Sequence, residues 1–600
     1  MNKGNTYEQQ ATFSSVLSKL VTLRIQSGAK RHDLHFWHQF SPVPGPCITH
    51  HEAVDDMMPP RRQWIRPRKA KRKNRPAFKV WEQALYSTVQ SFHAQDRLDK
   101  VEWGQRLIAQ IEKVQEIWTD PSQWIPAPCV DPRPEYGKIR IITQYPDIAD
   151  RILLSMAAKY LAIQLDGLWS SHSHAFRPPG PHGLRPAVES ILAYSERFSG
   201  AELYVAECDI QQFFDCLSHD VIREQTAAVL HRTQQVNQSV EPRALLILDK
   251  FLSSFDFTTT AIPAVEKYNL KHPSKPASTQ LPSGLDQFYG DSLSSARIGI
   301  PQGGALSPVI ANIVMDSVDR AVLSTNDPDL FYARYCDDMI LIHPEKGKCQ
   351  AALDRYLHAL EQLKLVPHPP VPCSRQALEN GDAKSKAPYL WSANIEAHPE
   401  SVECIQFLGY KIRRDGTLSL RAKTLKKHKE KLHRLVAKTT RMITTSVPEE
   451  SKKSKSPPTP EQSTQEDVKQ LPGERYLKKI RLRMITAAVG RENLMKEGTN
   501  IRQPCWASAF DLLATAPASE AIRQLKDLDR DRERKIKFLA KQFHTMQLMP
   551  PKSEEDDPKR RKKKFYGAPF SYYSIAGATS RKKLKSQPGT QADRFHYGHI

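Results

Sequence analysis

An α+β fold is predicted by three features of the chain: short apolar runs bounded by turn residues, longer apolar runs with helical spacing, and a middle third in which the two alternate. Leu203 and Val205 open an apolar strand that delivers Asp209 at its end, within Ala206-Glu207-Cys208-Asp209-Ile210-Gln211-Gln212-Phe213-Phe214-Asp215. Phe331-Tyr332-Ala333-Arg334 and Met339-Ile340-Leu341-Ile342 flank Tyr335-Cys336-Asp337-Asp338, and together they read as a β-hairpin with an acidic turn. Such a turn costs stability through like-charge repulsion, and packing gives no reason to set an Asp pair between strands that otherwise bury their side chains. A divalent cation supplies the reason.

Between the two acidic sites lies Ile298-Gly299-Ile300-Pro301-Gln302-Gly303-Gly304-Ala305-Leu306-Ser307-Pro308, followed by a helical run from Val309 to Val322 with Val309, Ile310, Ile313, Val314 and Val318 apolar. The Pro301-Gln302-Gly303-Gly304 turn puts flexible backbone where a Cβ would obstruct the approach of a ligand. Upstream, Tyr136 to Ile142 reads as a hairpin strand on which Lys138 and Arg140 share a face, because strand side chains repeat every two residues. Phe78 to Trp118 reads as helical. Arg421 to Met442 is a basic amphipathic helix with Leu425, Leu432, Leu435 and Val436 on its apolar side, and Tyr476 to Leu494 is its partner through Leu477, Ile480, Met484 and Ile485.

The order of these blocks resembles that of reverse transcriptases, of the bacterial kind that includes group II intron enzymes, retrons and defence-associated enzymes. The resemblance implies a right-hand polymerase: fingers and palm over 131–415, and a helical thumb-like region over 416–550 with a flexible linker at 444–473. An N-terminal basic and helical extension over 1–130 and a charged, aromatic C-terminal tail over 551–600 complete the expected plan. It implies an RNA-directed DNA polymerase that carries out in-line displacement at phosphorus with two Mg²⁺ ions, for which Mn²⁺ is a possible substitute. Mg²⁺ takes hard oxygen ligands and keeps several waters, so a few carboxylates plus substrate phosphates suffice. By resemblance Asp209 and Asp337 bridge the two metals, Asp338 completes the catalytic set, and the main-chain carbonyl of Ile210 adds an oxygen. Phe214, five residues after Asp209, corresponds to the aromatic under the incoming sugar that excludes a 2′-hydroxyl; Phe213 is then a core aromatic and the alternative gate.

The same resemblance assigns Gln302 to the incoming nucleotide and Lys138 with Arg140 to the triphosphate, for which basic donors are well suited. Ser173-His174-Ala175-Phe176-Arg177-Pro178 is close to the family's Gly-Phe-Arg-Pro block, with Ala175 where Gly is usual. Arg177 serves either the template and nucleotide or the local structure. Ile405 to Ile412 resembles the strand that links palm to thumb. Between Leu363 and Ser401 the match is poor: the family expects a helix, a turn and a Lys near the primer end, and Lys384 and Lys386 are the candidates.

A net charge of +22 and a pI near 9.4 over 600 residues fit a polyanionic partner and several domains. The expected partners are an RNA template or noncoding RNA, a DNA product, deoxynucleoside triphosphates, and a companion protein or second copy of the chain. No apolar run near twenty residues is present, and Met1 to Ser15 lacks the apolar core of a signal peptide, so a soluble, cytoplasmic protein with no membrane partner is expected. The nine cysteines occur without Cys-x-x-Cys spacing, which counts against a zinc ribbon, a disulfide framework and a zinc-supported endonuclease.

Arg61 to Arg75 holds nine basic residues, read as a solvated arm or an RNA-binding site. Thr444 to Gly473 is too polar to bury a core and reads as a linker. Lys559 to Lys564 forms a basic cluster, and the aromatics from Phe565 onward suggest docking on the body, on RNA or on a partner. Physiologically the expectation is bacterial antiviral defence. The alternatives are an intron-type maturase, a template-independent or protein-primed DNA polymerase, and a non-enzymatic RNA-binding scaffold.

Overall fold

The computed structural model describes residues 6–38, 54–65, 77–373, 384–446, 472–493, 506–546 and 571–572, apart from 136–137, 179, 237–238, 275, 279, 395 and 515–517. Its centre is a four-stranded antiparallel sheet in the order β4-β5-β3-β6, built from β3 (Leu203–Cys208), β4 (Phe331–Tyr335), β5 (Asp338–His343) and β6 (Lys386–Trp391). A hairpin of β1 (Cys129–Glu135) and β2 (Lys138–Gln144) stands apart from it, as does a three-stranded meander of β7 (Cys404–Phe407), β8 (Tyr410–Arg413) and β9 (Leu418–Leu420).

Period-two alternation gives the central sheet two buried faces. Ala206, Cys208, Met339 and Leu341 enter one apolar core, formed with the helices Ser307–Leu323 and Lys346–Gln362. Leu203, Val205, Ile340 and Ile342 enter a second core on the opposite face, with the helix Leu184–Arg197 and the meander. Pairing across β3 and β5 sets Ala206 opposite Leu341 and Cys208 opposite Met339. The residue after β3, Asp209, is therefore brought to the end of the sheet where β5 begins with Asp338.

The N-terminal helices Phe13–His38, Ala77–Ala94 and Glu102–Thr119 pack into the first core together with Ile148–Leu165. Tyr7 stacks on Trp118 at 4.1 Å between ring centroids, and its hydroxyl donates to the Trp118 carbonyl. The run expected as one helix from Phe78 to Trp118 is two, because the chain turns at Asp96, whose φ of +48° is outside the helical region. Gly104 lets the second helix begin against the Leu98 carbonyl: a Cβ there would lie 2.1 Å from that oxygen.

After the meander, Ala422–Ser446 and Pro472–Asn493 form the two expected helices, and Leu432, Val436, Ile480 and Met484 are buried between them. A third helix, Ser519–Thr545, closes this bundle through Ile536, Leu539 and Phe543 and was not anticipated. Its charged residues obscure a stripe at 525, 528, 536 and 539 that has helical spacing. The linker expected at 444–473 falls for the most part outside the described residues, as do the arm beyond residue 65 and nearly all of the tail expected at 551–600.

Tyr572 is the part of that tail the structure describes, and it docks on the body. Its ring meets Trp506 edge-on at 5.3 Å, lies under the Arg532 guanidinium at 5.3 Å, and is 1% exposed. The hydroxyl lies 2.5 Å from His428 Nε2, and the backbone N–H donates to Asp529 Oδ1 at 2.9 Å. Truncating an aromatic so enclosed costs about 3–5 kcal/mol. Tyr572→Ala is expected to lower amide-exchange protection in Ala422–Ser446 and Ser519–Thr545 while leaving the central sheet protected, as read by hydrogen-deuterium exchange.

Candidate active site

The hairpin that carries the acids is tight. Tyr335 pairs with Asp338, leaving Cys336 and Asp337 as the two turn residues, and Cys336 takes the left-handed conformation at φ +62°. For a residue with a Cβ that conformation costs about 1–2 kcal/mol, so something must hold it. Arg334 does: its Nη1 donates to the Cys336 carbonyl at 3.1 Å. The same guanidinium is bound at both ends to Asp319, at 2.6 and 2.7 Å, and Nη2 also donates to Ser173 Oγ at 2.8 Å. Tyr332 adds its hydroxyl to Asp319 at 2.7 Å. The Arg334 and Asp319 side chains are each 1% exposed, so a complete ion pair lies directly beneath the acidic turn.

Asp209, Asp337 and Asp338 share one electrostatic field. Burial, and then the charge of Asp209, raise the Asp337 carboxyl above the usual range. The enclosing protein, and then the charges of Asp337 and Asp209, push Asp338 up to about 7, although its side chain keeps access to solvent. Among the described residues no three His, Cys, Asp or Glu side chains converge into a metal-binding cluster. The three Asp residues offer hard oxygens at an open edge, and their mutual repulsion is the kind a divalent cation relieves.

Asp209 is fixed through its backbone. Its N–H donates to Ser385 Oγ at 3.0 Å, and its carbonyl accepts from the His368 N–H at 2.9 Å. Lys384 Nζ stands 3.5 Å from Asp209 Oδ2 and 2.8 Å from His368 Nε2. Of the two candidate lysines, Lys384 thus reaches the acids. Lys386 does not: it is buried against Glu207, whose other oxygen accepts from the Tyr389 hydroxyl at 2.6 Å.

Five residues after Asp209 along the chain, Phe214 lines a pocket together with Arg140, Gln302, Gly303 and Ser307. Phe213 is buried in the first core, and Phe214, next to it in the helical turn Phe213–Cys216, lines the pocket. Gln302 Nε2 donates to Asp215 Oδ1 at 2.7 Å, and the Gln302 main-chain carbonyl accepts from the Thr143 N–H at 3.1 Å. The glycines after it answer to the fold: Gly303 has φ +91°, and a Cβ on Gly304 would meet the Phe251 ring at 2.9 Å. Lys138 lies on β2 with Arg140, but its side chain is outside the described residues. Ile210 follows Asp209 and bridges to Pro367. Arg177 is engaged locally, donating to the carbonyls of Asp166, Ser170 and Ser173 at 2.9, 3.0 and 3.2 Å.

A sequence model of the family described as Reverse transcriptase (RNA-dependent DNA polymerase) matches residues 131–412, the span that holds the central sheet, the acidic hairpin and the pocket. Residues 131–412 are a reverse transcriptase domain. It is the catalytic domain type of RNA-directed DNA polymerases. No functionally curated protein matches the chain. Solved structures similar to it include apo telomerase from Candida tropicalis truncated from its C-terminal domain, at 13% identity and a TM-score of 0.30, over 49% of this chain and 55% of that one. Telomerase from Candida albicans in complex with a TWJ fragment of telomeric RNA is similar at 11% identity and a TM-score of 0.30, over 84% of this chain and 85% of that one. Apo telomerase from Candida tropicalis is similar at 10% identity and a TM-score of 0.33, over 77% and 74%. The chain thus spans about half the length of the first of these structures.

Within the reverse transcriptase domain, sequence reasoning missed Arg334, Asp319, Asp215 and His368. An Arg inside an otherwise apolar strand and an Asp beside Val318 were the available signals for the first pair. Removing one member of a buried pair strands the other charge and costs about 3–5 kcal/mol. Arg334→Met is therefore expected to lower unfolding free energy by that amount in urea titration, and Asp319→Asn, which keeps an acceptor, by less.

Proposed function

We propose that this chain is an RNA-directed DNA polymerase of right-hand architecture, in which Asp209, Asp337 and Asp338 hold the divalent ions and the adjacent pocket holds a deoxynucleoside triphosphate. The observation that carries this reading is the register of β3 against β5, which sets Asp209 beside the Asp337-Asp338 turn, with Phe214 five residues on lining a pocket together with Arg140 and Gln302. In this reading the fingers and palm span 131–415, with β1–β2 on the fingers side and the central sheet as the palm. The helical bundle within 416–550 is the thumb, 1–130 an N-terminal extension, and 551–600 a tail. Mg²⁺ is the proposed metal, with Mn²⁺ as substitute, and when bound it would activate the primer hydroxyl and neutralise the leaving pyrophosphate.

Each remaining role falls to a residue of the chain. Asp209 and Asp337 would be the principal ligands of the metal ions, Asp338 would complete the carboxylate set, and the Ile210 carbonyl would contribute an oxygen. Arg140 and Lys138 bind triphosphate oxygens as charge-assisted donors. Phe214 excludes a 2′-hydroxyl by contact. Lys384, poised at Asp209, is the basic residue at the primer end. Template RNA or a noncoding RNA and the DNA product are the proposed partners, with a companion protein or second copy compatible with the same site. For physiology we propose bacterial antiviral defence, by resemblance to defence-associated enzymes. Plaque counts on cells carrying the wild-type locus or Asp337→Ala test it, and equal counts over a broad phage panel would remove it.

Asp209→Ala and Asp337→Ala are each expected to reduce extension of a primed RNA template more than about a hundredfold without unfolding the protein, a loss beyond that of a typical outer-shell residue. Near wild-type synthesis by either folded variant would sink the assignment. Phe214→Ala is expected to lower discrimination against ribonucleotides by about 10–100-fold, the scale at which pockets sense size. Single-nucleotide incorporation reads this directly. Neutralising Lys426, Lys427, Lys429 and Lys431 together is expected to flatten the salt dependence of duplex binding, by roughly 0.7–0.9 in slope for each phosphate that is no longer neutralised.

A further inference from the structure

Between Asp215 and Ile298 the chain builds a module that lies outside the motif blocks. Its core joins Phe255, Phe257, Val265 and Ala277 to Ile141 of β2 and to Ile298, so it is fastened both to the β1–β2 hairpin and to the chain that leads into the Pro301 turn. The helix Ile262–Lys271 of this module packs against β1 and ends in a stack of two rings. Tyr268 is half-buried and leans on the module's core, and His272 covers it at 4.3 Å between ring centroids, with 21° between the planes.

The outer ring is held in place. His272 Nδ1 lies 3.0 Å from the Tyr268 carbonyl, and a carbonyl only accepts, so the ring carries its proton on that nitrogen. The His272 main-chain N–H donates to the carbonyls of Tyr268 and Asn269 at 3.0 and 3.1 Å. The loop that follows is pinned from its far end, where Asn269 Oδ1 accepts from the Ala277 N–H at 2.6 Å and Nδ2 donates to the Ala277 carbonyl at 3.0 Å. His272 is exposed all the same, so an ordered aromatic face ends in water. Around the helix axis Lys271 comes about 60° and Lys267 about 100° from Tyr268, in the same direction, while Glu266, the one acid of this helix, is about 160° away. Both lysines are exposed, and among the described residues neither has an ion-pair partner.

We propose that the Tyr268–His272 stack, with Lys267 and Lys271, is a binding site for an unpaired nucleic-acid strand, in which a base stacks on His272 and neighbouring phosphates meet the two lysines. Every base has a face that can stack on an aromatic ring, and the backbone supplies the anions, so the match requires no particular sequence. A duplex keeps its base faces inside its own stack and cannot use the ring. None of these residues lines the nucleotide pocket, so the site is separate from the one that takes a triphosphate.

The test is binding of a labelled oligomer of about 12 nucleotides to the full chain, read by fluorescence anisotropy without triphosphates or divalent ions, with a blunt duplex of the same length as control. The oligomer is used as RNA and as DNA of one sequence. His272→Ala should weaken binding of the unpaired strand about 5–100-fold, the loss of one stacked base, and leave duplex binding within about twofold. His272→Phe, which keeps a ring, should retain the affinity. Lys267→Gln together with Lys271→Gln should reduce the salt slope by about 1.4, at roughly 0.7 for each phosphate of a single strand, and Lys267→Arg with Lys271→Arg should restore it. Photo-crosslinking of thio-substituted oligomers should label the peptide that holds Tyr268 and His272, and whichever of RNA and DNA loses affinity in His272→Ala is the strand the site takes. Unchanged affinity in folded His272→Ala, an equal loss for the duplex, or labelling confined to other peptides would overturn the proposal. Binding is measured without catalysis, so a protein that fails to extend primers but passes these tests keeps this site and loses the polymerase reading alone.

Discussion

Everything in the site depends on holding three like charges at one end of a sheet. Burial and the charge of Asp209 raise the Asp337 carboxyl, and burial with the charges of Asp337 and Asp209 raises Asp338, so the turn carries a repulsion that the fold must restrain. The restraint comes from the two faces of the sheet. Val205, Ile340 and Ile342 are committed to one core and Ala206 and Leu341 to the other, so a slip of one residue would exchange every side chain between faces of different shape. Beneath the turn, the Arg334–Asp319 pair ties the Cys336 carbonyl to the helix Ser307–Leu323. The acidic turn is thus held chiefly by apolar packing and by an ion pair complete in itself.

A second buried pair extends this restraint to β6. Glu207 lies two residues before Asp209 and is opposite Lys386, with an irregularity in the β3–β6 register between Val205 and Glu207. Burying that pair fixes where β6 starts and thereby where Ser385 and Lys384 fall. Ser385 then accepts from the Asp209 N–H, and Lys384 reaches the Asp209 carboxylate. The segment between Leu363 and Ser401, read from the sequence as a poor match, thus returns a hydroxyl and an ammonium to the site.

Legibility in the sequence followed the range of the interactions. The strand before Asp209, the acidic hairpin and the helix after Pro308 rest on periodicity and turn chemistry within a few residues, and the structure places them accordingly. The pairings that were not legible join distant segments: Asp215 and Gln302 are 87 residues apart, and Lys384 and His368 are separated by a stretch of unfamiliar sequence. The helix break at Asp96 is hidden in the sequence because a single left-handed residue leaves the apolar spacing on both sides intact. The glycines after Gln302 suggest ligand approach, whereas positive φ at Gly303 and the Phe251 ring beside Gly304 already require them.

The acids stand on the sheet, and the pocket lined by Phe214 and Gln302 on a second frame, the backbone ties of 214–217 to 299–300. The two frames meet in the short segment from Asp209 to Phe214. Gln211 is bound there through its N–H to the Val366 carbonyl, and Gln212 turns the chain at φ +45° into the helical turn Phe213–Cys216. That single left-handed residue sets the direction in which Phe214 leaves the sheet. The five-residue spacing between Asp209 and Phe214 is therefore a distance constraint in covalent form: it limits the offset between the carboxylates and the Phe214 ring at the pocket without relying on a flexible side chain. An insertion in this segment is expected to displace the ring relative to the acids, against the resistance of the apolar core that Phe213 and Ile300 share with Ala206 and Met339.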